Sequence, residues 1–142
     1  MIRKKFGQWL GAPWVALLLL TSANANEGPF TGVFQGQGRG CWGKLYVKER
    51  TLQWTTPYSI CKPSKYKVLE RELTTPNRHI AFELAQRSTQ CRYAVVELSF
   101  DPQTPDYWLA KGYASVEDFN QRQVASDESK LRTLSCAVQK QG

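Results

Sequence analysis

Polar and apolar residues alternate in short runs along most of this chain, and turn residues separate the runs. That pattern predicts strands with one buried face. The runs span 30–37, 41–48, 51–56, 65–71, 78–84, 92–100, 107–114 and 131–138. Ile80, Phe82 and Leu84 share one side of the fifth, and Ala94, Val96, Leu98 and Phe100 share one side of the sixth. Leu134, Cys136 and Val138 align in the last. Pro57, the stretch 74–77 and the proline-flanked stretch 101–105 read as turns. The expected fold class is all-β, an antiparallel meander of eight strands. It closes as a barrel or packs as a sandwich, and the barrel is favoured because closure removes exposed edges.

The second and third runs form the best-defined hairpin. With Glu49 and Arg50 as the turn, Val47 faces Leu52 and Leu45 faces Trp54, so the apolar partners fall on one face. One helical signal interrupts the strands. Ser115 stands as a cap before Val116, Glu117 and Asp118, with acids in the first turn, which predicts a short helix near 115–123. The polar stretch 121–130 reads as a mobile loop.

The first 25 residues break this pattern and read as a secretory signal peptide. Arg3, Lys4 and Lys5 precede an apolar run from Ala12 to Leu20, and Ala23-Asn24-Ala25 supplies the small residues before a cut after Ala25. That apolar core is shorter than the roughly 20 residues a spanning helix needs. The domain reading is therefore a signal peptide at 1–25 and a single exported β-domain at 26–142, periplasmic or secreted, with no stable membrane insertion after the leader is removed.

Removing the leader changes the charge. The whole chain carries 19 basic and 12 acidic residues; the exported part keeps 16 and 12, a balance of +4. The basic residues form no run of three in the exported part, so a nucleic-acid partner is not expected. Weak attraction to anionic lipid, glycan or an acidic partner fits the balance. All four cysteines, Cys41, Cys61, Cys91 and Cys136, lie in the exported part, and an even count in an oxidising compartment reads as two disulfides. The hairpin register puts Cys41 near Cys61, so the expected pairs are Cys41–Cys61 and Cys91–Cys136. The alternative is Cys41–Cys136 with Cys61–Cys91. No zinc spacing accompanies them.

Candidate catalytic chemistry is thin. His79, the sole histidine, alternates with Ile80 and Phe82 and reads as a solvated surface residue. Glu70 and Glu72 share a strand face, as a carboxylate pair for glycoside chemistry would, but lysine and arginine alternate with them. The glycine-rich stretch 36–40 is followed by a strand and not by a helix, which excludes a phosphate-binding loop and leaves a tight turn with Arg39 at its tip. No catalytic residue, metal or cofactor is expected.

Aromatic residues off the core face are the surplus. If Leu45 and Val47 point inward, Trp42 and Tyr46 point out beside Lys44 and Lys48. If Trp108 and Ala110 point inward, Tyr107, Lys111 and Tyr113 point out. Trp42, Lys44, Tyr46, Tyr107, Lys111 and Tyr113 are thus the candidate binding residues. The function expected is a non-enzymatic exported β-domain that recognises a protein or cell-envelope partner through this aromatic and basic face. The alternative is a carrier whose barrel interior, lined by Trp54, Phe82 and Trp108, holds a small apolar molecule. The plan of a small, signal-bearing, disulfide-bonded β-barrel resembles that of exported bacterial lysozyme inhibitors, although their serine-glycine loop before a lysine and a tyrosine has no counterpart here. Lysozyme inhibition is one form the recognition would take; the likeness is one of class and assigns no family.

Overall fold

The computed structural model describes residues 28–124 and 133–142, with Gly7 and Gly11 as isolated points. The rest of the expected signal peptide and the stretch 125–130 of the expected loop lie outside the described residues. Eight antiparallel strands close into one barrel in chain order: β1 (Gly32–Gly36), β2 (Gly43–Val47), β3 (Thr51–Thr56), β4 (Ser59–Glu72), β5 (His79–Leu84), β6 (Val95–Phe100), β7 (Trp108–Tyr113) and β8 (Thr133–Lys140). A single short helix, α1 (Val116–Asn120), follows β7. Each strand pairs with its sequence neighbour, and β1 pairs with β8 to complete the ring.

The alternation sets which side chains fill the barrel. Leu45 faces Trp54, and Trp54 faces Cys61; Ile80 faces Leu98, and Leu98 faces Ala110. All six are buried. Rings complete the interior: Tyr66 meets Phe82 edge-on at 4.7 Å, and Trp54 lies 5.4 Å from Tyr93. Phe30, just before β1, packs against Phe34, Phe82 and Trp108 at one mouth. Two glycines let backbones or rings approach closely. Gly43 has φ +142°, and a Cβ there would lie 1.9 Å from the Thr55 carbonyl oxygen. Gly112 carries the ring of Tyr93, which would lie 2.6 Å from an added Cβ.

A second cluster lies outside the barrel wall. Ala81, Val95 and Tyr113 project outward and are covered by Phe119 of α1, with Leu69, Ala94 and Val116 at its margin. Ser115 caps the helix, its hydroxyl accepting from the Asp118 amide at 3.1 Å, as its sequence signal predicts. Covering this patch is what lets an antiparallel wall carry apolar residues on both faces.

Two expectations are corrected by the fold. The fourth strand begins at Ser59 and not at Lys65. Pro57 and Tyr58 form the turn, with Thr56 directly opposite Ser59. Pro63 lies where the β3–β4 register shifts, a bulge that needs no ladder hydrogen bond from that residue. The disulfides are Cys41–Cys136 and Cys61–Cys91, with Cα separations of 5.6 and 4.4 Å, and not the pairing expected from the hairpin. Cys61 follows the tight turn closely enough to sit opposite Trp54, well along the strand from Cys41. Ring closure then brings β8 and Cys136 to the β1–β2 connection. Two disulfides with no free cysteine among the described residues belong to an oxidising, extracytoplasmic setting.

Candidate functional site

Closure of the barrel decides the fate of the sequence-selected residues. Trp42, Lys44 and Tyr46 project from β2 or the residue before it, and Tyr107 and Lys111 from β7 or the residue before it. These strands are distant in sequence but only three strand spacings apart through β1 and β8, about 14 Å. Lys44 faces Gln35, Gln35 faces Gln139, Leu109 faces Ala137, and Lys111 faces Ser135. One continuous outer face therefore carries both groups. Trp42 is 66% exposed and Tyr107 is 43% exposed; Lys44 is exposed, and Tyr46 and Lys111 are half-buried. An open groove of about 570 Å³ lies beside Tyr107 and Leu109, floored by Phe100 and Trp108. Tyr113 does not belong to this face and is a correction. It points outward as the alternation requires, but α1 covers it and leaves it 2% exposed, with Phe119 edge-on at 5.4 Å.

The end of the barrel next to Trp42 adds residues that the sequence pattern does not single out. Three connections meet there: the β1–β2 loop, the β3–β4 turn and the β5–β6 loop. Tyr58, in the turn, is 64% exposed and its ring lies against Gly40. Ile60 follows at 39% exposure. The backbone of Ile60 is tied to the β5–β6 loop by the Gln90 carbonyl and by the Ser88 hydroxyl, at 3.0 and 2.8 Å. The Arg92 amide donates to the Ser59 hydroxyl at 3.0 Å. Both disulfides clamp the same end, Cys41–Cys136 on the first loop and Cys61–Cys91 between the other two. A groove of about 330 Å³ opens there between Tyr58, Ile60, Gln90 and Arg92. Tyr58 and Ile60 escape the alternation pattern because Pro57 signals the end of a strand as readily as the tip of a hairpin.

His79 is a second correction. It faces out of β5, as expected, but it is not solvated freely: its side chain is 24% exposed and Nε2 lies 2.7 Å from Oε2 of Glu97. Glu97, itself buried, also accepts from the Tyr113 hydroxyl at 3.0 Å, and its Oε2 forms an ion pair with Arg122 Nε at 3.1 Å. Arg122 reaches on to Glu70 Oε2 at 2.6 Å, donates to the Phe119 carbonyl at 2.9 Å and stacks on the Phe119 ring at 3.9 Å. Burial pushes the Glu97 carboxyl up. Hydrogen bonds from His79 and Tyr113 and the charges of His79 and Arg122 outweigh it, so the group sits below the usual carboxylate range.

Glu70, His79 and Glu97 bring donor atoms within 4.8 Å of one another, a set that would suit a divalent cation. The Arg122 guanidinium already lies against the same Oε2 atoms of both glutamates, so a cation would have to displace it. The arrangement acts as a latch that holds the end of α1 on the barrel wall. Glu72, weighed with Glu70 as a carboxylate pair, turns to the Thr74 hydroxyl and amide. The expected interior residues Trp54 and Phe82 are fully buried among other rings, and Trp108 is 5% exposed.

No protein-family model, characterised protein or solved structure matches this chain.

Proposed function

We propose that this is a non-enzymatic exported protein of the periplasm or cell exterior that recognises a protein or cell-envelope component through the outer face around Trp42. Trp42, Lys44 and Tyr46 form its centre, and Tyr107 and Lys111 extend it around the closed wall. The observation that carries this reading is the 66% exposure of Trp42, a large apolar side chain held out beside Lys44. Leaving such a ring in water forfeits about 1.5–3 kcal/mol of burial that a partner would recover. Two disulfides brace the backbone beneath it, which lowers the ordering cost of association. The non-enzymatic part of the reading is supported by the Glu97 cluster. Its histidine, arginine and carboxylates are bonded to one another.

Retention on immobilised envelope extract tests the proposal. The wild-type protein is retained, and Trp42→Ala with Lys44→Glu weakens retention at least tenfold without moving the melting temperature, because both side chains are exposed. Unchanged retention of the double variant would overturn it. Lysozyme inhibition is checked separately by titrating several lysozymes; loss of lysis at stoichiometric ratio supports that form, and no effect on any removes it.

A further inference from the structure

Charge along the exported chain is segregated in a way that its total hides. Residues 39–67 hold seven basic residues and one acid, Glu49, a balance of +6. The remainder of the exported part holds nine basic and eleven acidic residues, a balance of −2, and the two together give +4. The fold concentrates the asymmetry further. The three segments that meet at the disulfide-clamped end, 37–44, 55–62 and 85–94, contain Arg39, Lys44, Lys62, Arg87 and Arg92 and no aspartate or glutamate. All five basic side chains are exposed. The fourth connection at this end opens with α1, which packs on the outer wall of β5–β7 and takes Glu117 and Asp118 onto that wall.

The same end carries Trp42, Tyr58 and Ile60, three of the seven large apolar side chains exposed among the described residues. Aromatic and aliphatic tips projecting from a ring of lysine and arginine match the layering of a membrane interface. Indole and phenol settle at headgroup depth, and the cations meet lipid phosphates. An acidic protein would satisfy the charge but would not require the apolar tips to project from a loop end. We infer that this end of the barrel docks on a bilayer containing anionic phospholipid. Trp42, Tyr58 and Ile60 enter the interface, Arg39, Lys44, Lys62 and Arg92 pair with headgroups, and the groove beside Arg92 takes one phosphate. The inference rests on the recognition reading above and names its partner. The bridges Cys41–Cys136 and Cys61–Cys91 hold the three segments in place, so docking requires no refolding.

The experiment uses protein purified from the envelope of cells expressing the whole chain. It is mixed with vesicles of phosphatidylglycerol and phosphatidylcholine in equal parts, or with pure phosphatidylcholine. Of the three tryptophans in the exported part, Trp54 and Trp108 are buried, so a blue shift of emission reports Trp42. A blue shift and co-sedimentation are expected with the anionic vesicles only, and both vanish in about 1 M salt, where charges are screened beyond about 3 Å. Reversing Arg39, Lys44, Lys62 and Arg92 to glutamate lowers partitioning at least a hundredfold, since each basic residue near an anionic surface contributes about fivefold. Reversing Lys48, Arg50, Lys65 and Lys67, equal in charge but away from this end, lowers it far less. Equal binding to neutral vesicles, equal loss from the two reversals, or no binding at all would overturn the inference. If vesicles do not bind but retention on delipidated envelope protein still depends on Trp42, the lipid partner alone is refuted. If neither occurs, the recognition reading falls with it.

Discussion

Glu97→Ala tests the latch between α1 and the barrel wall. The substitution removes at once the acceptor for the His79 ring and the Tyr113 hydroxyl and the ion-pair partner of the Arg122 guanidinium. Deleting one member of a buried ion pair costs about 3–5 kcal/mol, because the groups left behind lose both water and partner. Here the value falls near the lower end, about 3 kcal/mol, since the side chains of Arg122 and His79 keep 16% and 24% of their exposure and are partly rehydrated. For a domain of this size that lowers the melting temperature by roughly 12 °C. Urea and thermal unfolding followed by circular dichroism measure it. The lowered ionisation of Glu97 adds a pH signature. Its folded value lies below its unfolded one, so its contribution is complete above about pH 4.3 and is lost as pH falls through the folded value. A Glu97→Gln variant is therefore less stable than wild type at neutral pH, and the gap narrows in acid. A loss no larger than that of Glu83→Ala, or a gap that does not narrow in acid, would refute the latch.

Other consequences can be checked with little material. Trypsin places the four cysteines in separate peptides, so unreduced digests should contain the 40–44 peptide joined to 133–140 and the 51–65 peptide joined to 88–92; any other pairing contradicts the fold. Removing the Cys41–Cys136 bridge should cost more than removing Cys61–Cys91, about 4.7 against 3.6 kcal/mol in the chain-entropy model, because their separations are 95 and 30 residues. Equal costs in urea would count against it. Gly112→Ala forces the Tyr93 ring off its seat and should destabilise by about 1–3 kcal/mol, read as a lower urea midpoint with an unchanged slope.

Local alternation makes the strands and one hairpin legible in the sequence. The expected pairs Leu45 with Trp54 and Val47 with Leu52 are the observed ones, because one buried face leaves a single register. The cap at Ser115 is equally readable, since it depends on a few adjacent residues. Features that need the ring to close are not readable. Cys136 reaches Cys41 only because β8 pairs with β1. Alternation puts Tyr113 on the correct side of its strand, but nothing in its own run reveals that α1 returns to cover it. The partners of His79 come from β4 and β6, the arginine those two glutamates share comes after α1, and no short window of sequence contains them.

Photo-crosslinking in living cells tests the recognition face most directly. A crosslinker replaces Trp42 or Tyr58 in one set of strains and the exposed Glu117 of α1 in another. Discrete adducts with an envelope component are expected from positions 42 and 58 and none from 117. Adducts from 117 alone, or none from 42 and 58, would contradict a binding face centred on Trp42.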